Sequence, residues 1–336
     1  MLFVLIFLLT VQCATGGAIS AQTTNPCVAA LNWAFGEEPW PFGWFLLGLG
    51  AGNFSYLLGA HLAVCHPLPE CHTCQAKAST PVFLGDGDTY IEDTDISLPG
   101  LGGGLTLRRR WNSVWPLVET QSVMGLFGPS WRSTYEERVF MSSPPDNWVK
   151  YSRSDGDFWQ FGIGDTGAWV VASPGNVSAT LSSTPSGVEV TFLNGETRVF
   201  GARNGFLSAI IDRNNNKTQL TYDESNRLVE VTSPASQHLY FNYASNNPPT
   251  YLVTSVTSDF GVTLSYSYNT AGQLIQVTKP DQTTVSYTYN SQGQISTVTD
   301  SNGKVLESHT YVDSLGHALT SSQANGVNSV TITYPQ

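Results

Sequence analysis

From residue 81 onward the chain alternates apolar and polar side chains. Val285, Tyr287 and Tyr289 are separated by Ser286 and Thr288, and Leu264, Tyr266 and Tyr268 by Ser265 and Ser267. A period of two in β-branched and aromatic residues predicts strands buried on one face. Each run ends in a turn signal and a shorter apolar run follows, as Leu274 to Thr278 follows Asn269-Thr270-Ala271-Gly272. Gly and Pro, at 31 and 18 residues, punctuate many short strands. The pattern predicts an all-β, mostly antiparallel chain from residue 81, with helix confined to the region before Cys65.

The alternating runs recur as a unit of the form aromatic–x–x–x–Gly–x–Leu. Tyr268, Gly272 and Leu274 mark one copy, Tyr289, Gly293 and Ile295 the next, and Tyr311 and Gly316 a looser one. In an earlier copy, Tyr222-Asp223-Glu224-Ser225-Asn226-Arg227-Leu228, Asn226 stands in the Gly position. Asn is the usual substitute where a turn needs positive φ. With copies at Phe200 and Tyr243 and an opening at Tyr334, the spacings are 22, 21, 25, 21, 22 and 23 residues. Such a period marks a repeat architecture, strand–turn–strand–turn, stacked unit on unit. The tyrosine ladder (Tyr222, Tyr243, Tyr268, Tyr289, Tyr311) has two readings. Rings buried between units build a scaffold, whereas a solvent-facing row would platform sugar rings. Exposure separates them.

The heptapeptide resembles the YD repeat of the Rhs family, Tyr-Asp-x-x-Gly-Arg-Leu. Tyr222, Asp223, Arg227 and Leu228 keep both of its pairs, and other copies carry Asn for Asp and Gln for Arg. Upstream, GDGDTYIEDTDISLPG at 85–100, TLRRRWNS at 106–113 and FGPSWRSTYEERV at 127–139 resemble the N-terminal domain that precedes such repeats. Trp111 stands where Tyr is more usual. The resemblance covers residues 81–336 and divides them at 175/176 into an N-terminal β domain of Rhs type and about six YD-like repeats. It implies a spiralling strip of β-hairpins, as in Rhs toxins, the shell subunits of insecticidal Tc complexes and teneurins. Complete members enclose a C-terminal effector. No counterpart of the family's core segment or toxin domain is found here, so the strip is expected to be open rather than a closed shell. Roughly twelve strands about 4.8 Å apart would span about 58 Å.

Residues 1–80 read differently. Met1 to Val11 is apolar and small residues follow to Ala21, an order that resembles a signal peptide over 1–21, although no Lys or Arg precedes Lys77. The segment 22–80 is mostly apolar and carries cysteines. Within it Trp44 to Val64 is an apolar run of 21 residues, long enough for a membrane anchor and equally readable as a buried or interfacial segment. Cys27, Cys65, Cys71 and Cys74 suggest two disulfides in an exported chain. A zinc site and free or redox-active thiols are the alternatives.

Composition narrows the function classes. Fifteen Lys and Arg against 26 Asp and Glu give a net charge of −11, a poor balance for binding nucleic acid. Charged residues are 12%, about half the usual share for a soluble domain. Asp86, Asp88, Glu92, Asp93 and Asp95 fail the calcium-loop spacing and read as a solvated strand edge. Glu136 and Glu137, adjacent on a strand, point to opposite faces and cannot share one glycosidase site. Glu307, His309 and Tyr311 share a strand face, and read as a degenerate repeat position rather than an acid–base group. No catalytic residue, metal or cofactor is expected. The chain thus reads as a non-enzymatic secreted or cell-surface β-repeat scaffold of bacterial type. Its open sheet edge would meet a protein partner or further repeats. A carbohydrate-binding adhesion module using the tyrosine ladder is the alternative.

Overall fold

The computed structural model describes residues 81–334, apart from 85, 102–103, 115–123, 142–147, 165, 174–177, 186, 247–249 and 325. The expected signal peptide at 1–21, the 44–64 stretch and the four cysteines expected to form disulfides lie outside the described residues. Among the described residues the named elements are all strands, and no helix is long and apolar enough to cross a membrane.

Strands β1 (Tyr90–Leu98), β2 (Leu105–Asn112) and β5 (Trp131–Ser133) form a small antiparallel sheet in the order β1-β2-β5. A tight hairpin, β3 (Met124–Gly125) and β4 (Gly128–Pro129), precedes β5. From β6 (Arg138–Met141) to β24 (Val327–Thr331), nineteen strands pair antiparallel in chain order. This sheet starts inside the 81–175 segment. It crosses the 175/176 boundary unbroken, because β9 (Trp169–Ser173) pairs with β10 (Ala179–Thr184) at Val170↔Thr180. It is therefore wider than the roughly twelve strands expected from the repeats alone.

The alternation works as read. In β18 (Thr263–Tyr268), Leu264 and Tyr266 are buried while Thr263 and Ser265 face solvent. The following strand, β19 (Leu274–Thr278), instead buries its first and fourth residues, Leu274 and Val277. The cause is a bulge: the register slips between Ser267↔Gln276 and Tyr268↔Leu274, which turns the first position back onto the inner face. The same slip occurs at Tyr222, Tyr243, Tyr289 and Tyr311. Each repeat is thus a bulged hairpin, and the bulge sits at the tyrosine.

Among the described residues no ladder joins β24 to β6, so the described sheet is not closed end to end. Its first turn closes locally. Arg138 in β6 bridges Phe206, Val139 N–H donates to the Gly205 carbonyl at 2.8 Å, and Leu207 N–H donates to the Glu137 carbonyl at 3.2 Å. The small sheet packs against the inner face of the later strands. Trp131 meets Tyr287 edge-on at 5.2 Å, Phe127 meets Tyr266 at 4.7 Å, and Trp111 meets Tyr311 at 6.5 Å. Both tryptophans are almost fully buried there. The inner face of the strip is filled by these side chains.

Candidate functional site

The tyrosine ladder is the most regular feature of the strip, and its chemistry is directed inward along the chain. The hydroxyls of Tyr222, Tyr243, Tyr268, Tyr289 and Tyr311 donate to the carbonyls of Leu207, Leu228, Val253, Leu274 and Ile295 at 2.7–2.8 Å. Tyr334 repeats the bond to Ala318 at 2.9 Å. Each acceptor opens the second strand of the preceding unit and is itself buried. The five ladder rings are partly buried, and burial pushes their phenols upward, Tyr289 to about 12. All five therefore stay protonated donors near neutral pH. A hydroxyl bonded to backbone is a staple between units.

The remaining motif residues form the turn. Asp223 Oδ1 accepts from the N–H groups of Ser225 and Arg227, and Oδ2 accepts from Arg227 Nε at 2.7 Å. Arg227 reaches onward to the carbonyls of Ser245 and Thr250 and to Asn246 in the next unit. Its guanidinium lies 4.5 Å over the Tyr243 ring. Partial burial opposes ionisation of Asp223, but the bonds and charge of Arg227 outweigh it and hold its carboxyl below the usual range. Where the chain has Asn269 and Asn290, Gln273 and Gln294 replace Arg, and the amides pair at 2.7 Å. Gln294 also crosses to the next unit, donating to the Asp313 carbonyl. Asp313 pairs with His317 at the same spacing. The Gly position adopts the expected backbone: φ is 76° at Gly272, 83° at Gly293, 99° at Gly316 and 59° at Asn226.

Along this row of turns the chain's first described segment makes a cap. Leu126 O accepts from Val253 N–H at 2.9 Å, Ser113 Oγ donates to Gly316 O at 2.6 Å, and Gly87 O accepts from Ala318 N–H at 2.9 Å. Gly128 approaches so closely that a Cβ there would sit 2.5 Å from the Gly272 carbonyl oxygen. Trp131 Nε1 lies 3.4 Å from the Tyr289 hydroxyl. One rim of the strip is held, turn by turn, by the segment before β6.

Beneath the cap lies a buried charge cluster that the sequence pattern did not reveal. Arg109 donates to Asp95 through Nε at 2.5 Å and Nη2 at 2.9 Å, and is 1% exposed. Tyr266 hydroxyl also donates to Asp95, at 2.8 Å, and Tyr287 hydroxyl donates to Asp93. Burial disfavours the Arg109 charge, but Asp95 and Asp93 outweigh it and hold the guanidinium firmly protonated. The solvated-edge reading is corrected here for Asp88 and Asp95, whereas Glu92, on the edge strand β1, is exposed as read. Asp88 is fully buried and accepts from Asn112 and Val114, and the Asp95 side chain is 1% exposed. Asp95 sits next to the irregularity between Thr94 and Ile96, which breaks the alternation used to place it.

The adjacent glutamates serve separate partners. Glu136 accepts from Leu126 N–H, whereas Glu137 accepts from Tyr151, Ser154 and Arg198. In the last repeat, Glu307, His309 and Ser321 replace the apolar trio that elsewhere faces the core, such as Val285, Tyr287 and Val298. His309 lies 3.0 Å from Ser321 Oγ and 3.2 Å from Glu307. Tyr311 is displaced from them by the bulge and bonds to Ile295.

Models of two families match the chain: the RHS repeat over residues 203–238, 252–284 and 268–305, and a domain of unknown function, DUF6531, over residues 79–161. A tRNA3(Ser)-specific nuclease WapA of Bacillus spizizenii is 28% identical over 198 residues, which is 54% of this chain and 8% of that protein. The tRNA nuclease WapA of Bacillus subtilis strain 168 is 29% identical over 143 residues, 43% of this chain and 6% of that one. The chain thus spans less than a tenth of the curated relatives it matches. Among solved structures, a Photorhabdus luminescens Tc holotoxin pore aligns over 74% of this chain and 14% of its own, at 13% identity and a TM-score of 0.29. A TcdB2–TccC3 complex aligns over 74% and 15%, at 13% identity and a TM-score of 0.30.

Proposed function

The chain belongs to the Rhs/YD-repeat family, and from that premise we propose that it is a non-enzymatic scaffold, secreted or held at the bacterial cell surface. The observation that carries this reading is the use made of the ladder. Six tyrosine hydroxyls in succession are committed to backbone carbonyls of the preceding unit, and the face they border is filled by Trp111, Trp131 and Phe127. Side chains so committed hold a surface in shape. Protease shaving of intact producing cells should release the protein. Limited proteolysis of the purified chain should leave a single resistant body starting near residue 81. Protection inside intact cells, or rapid digestion through the repeats, would contradict the proposal.

The adhesion alternative has one observation in its favour, a groove that the ladder residue Tyr243 lines together with Tyr240, which is not part of the ladder. Tyr240 is 38% exposed, stacks on His238 at an interplanar angle of 3°, and lines an open groove of about 760 Å³ with Asn242, Asp223 and Arg227. A flat ring beside amide and charged groups suits a sugar face. Glycan-array binding abolished by Tyr240→Ala would favour this reading over the scaffold.

A further inference from the structure

We propose that Asn302 is a site of spontaneous covalent modification: of the three fully described Asn-Gly pairs, it is the one whose turn leaves it free to deamidate in the folded protein. Such pairs stand at 194–195, 204–205, 302–303 and 325–326, and Asn325 lies outside the described residues. In the reaction the glycine backbone nitrogen attacks Cγ of the Asn side chain and gives up its proton. The side-chain nitrogen takes up a proton and leaves as ammonia, which closes a five-membered succinimide. Water then opens the ring at either carbonyl, giving Asp or, with the main chain rerouted through Cβ, isoaspartate. Glycine favours the attack because no Cβ shields its nitrogen. What the fold must supply is freedom for the Asn side chain to swing over that nitrogen.

The three turns differ in that freedom. All three glycines have positive φ, and each donates its N–H to a carbonyl earlier in its turn. Gly195 donates to Phe192 and Gly205 to Gly201, both at 2.9 Å, and Gly303 to Asp300 at 3.0 Å, so this bond does not separate them. The side chains do. The Asn204 amide donates to Asn226 Oδ1 at 3.2 Å and accepts from Phe206 N–H at 3.1 Å. Gly205 is buried, and a Cβ there would sit 2.0 Å from the Val139 carbonyl oxygen. Asn194 is exposed, but its Oδ1 accepts from Glu196 N–H at 2.9 Å and Gly195 lies against Arg213. Asn302 sits between β21 (Ile295–Asp300) and β22 (Val305–Tyr311), in a turn exposed from Ser301 to Lys304. Its backbone N–H donates to Asp300 Oδ1 at 2.9 Å, whereas its side-chain amide bonds to no described residue. A Cβ at Gly303 would meet nothing within 4 Å. The product bears on the hairpin, because Asp300 N–H donates to the Lys304 carbonyl and Asp300 Oδ1 accepts from Lys304 N–H. Isoaspartate would add a methylene to the main chain inside that bonded ring, and either product sets a second carboxylate beside Asp300.

The test is peptide mapping by mass spectrometry of the full chain, aged in mildly alkaline buffer both folded and in urea. In the folded protein Asn302 should convert to Asp and isoaspartate roughly tenfold or more faster than Asn204, whose side-chain bonds must break first. Asn194 should fall between them. In urea the spread among the three should collapse, because the turns that separate them are gone. Asn302→Gln, which would have to close a six-membered ring, should remove the folded-state signal at that position and leave the other two unchanged. Folded-state conversion at Asn302 no faster than at Asn204, or a ranking that persists in urea, would overturn the proposal.

Discussion

Arg227 and Gln294 occupy the same place in two repeats and solve the same problem with different chemistry. Both satisfy the second motif residue of their own turn and both reach a carbonyl in the next unit. Asp calls for Arg because a carboxylate only accepts, and Asn works with Gln because an amide also donates. The pairs differ in one respect: only the carboxylates titrate. Asp212 is held below the usual range by bonds from Asn216, and Asp281 by bonds from Thr283. Asp223 and Asp313 are also lowered, against the opposing effect of partial burial, by Arg227 and His317. A carboxylate with a lowered folded pKa stabilises the fold above its unfolded value near 3.9, and loses that contribution as pH falls through the folded value. Glu136, raised by burial, acts in the opposite sense. Urea midpoints should therefore fall as pH drops below about 4. The double substitution Asp223→Asn with Arg227→Gln should lessen that fall, and it should also lower the pH 7 midpoint, because Gln cannot keep the bonds of Arg227 to Ser245, Thr250 and Asn246. Arg227→Gln alone should lower the midpoint at pH 7. The sequence set Asp223 and Arg227 in one motif, four residues apart, without showing that they bond. Arg109 was not legible, since its partners Asp93 and Asp95 sit on another strand and read as solvated charge until Tyr266 and Tyr287 arrive from far along the chain.

At the level of the hairpin, glycine has two distinct duties that substitution can separate. Gly303 has φ of 77° in an open turn where a Cβ would meet nothing within 4 Å. Gly128 has φ of 101° and lies against the backbone of Gly272 and Leu274. Gly303→Ala should cost about 1 kcal/mol, the penalty for a left-handed residue. Gly128→Ala adds a clash with backbone that cannot rotate away, and should cost at least twice as much by urea denaturation. Comparable losses at the two sites would mean that the cap does not depend on this close approach. The pattern of alternation foretold the strands themselves well, to within a residue at β19 and β20 (Thr284–Tyr289). It did not foretell the bulge at each tyrosine, because a slipped register leaves no trace in composition. The bulge shows only as second strands with apolar first and fourth positions, such as Leu228 with Val231 and Ile295 with Val298.

For the molecule as a whole, the small sheet and the strip share one core, with Trp111 and Trp131 between them. Unfolding followed by tryptophan fluorescence and by far-ultraviolet circular dichroism should therefore give coincident transitions for the 81–336 region. Two separated transitions would show that the cap leaves before the strip melts. The division of labour between cap and strip was hidden from the sequence, since β6 to β9 belong by resemblance to the upstream domain yet hydrogen-bond as the first strands of the repeat sheet. The staple bonds carry a further consequence, for the order in which the chain can assemble. Every ladder tyrosine reaches backward, to a carbonyl only 15 or 16 residues earlier. A chain emerging from the ribosome can therefore lock each hairpin onto the one before it, closing a loop of constant short length at every step. The cap contacts are of another order, spanning from 127 residues between Leu126 and Val253 to 231 between Gly87 and Ala318. Closing the longest of these instead of a staple costs about 2 kcal/mol more in chain entropy. The strip grows like a zip, and its rim is fastened last.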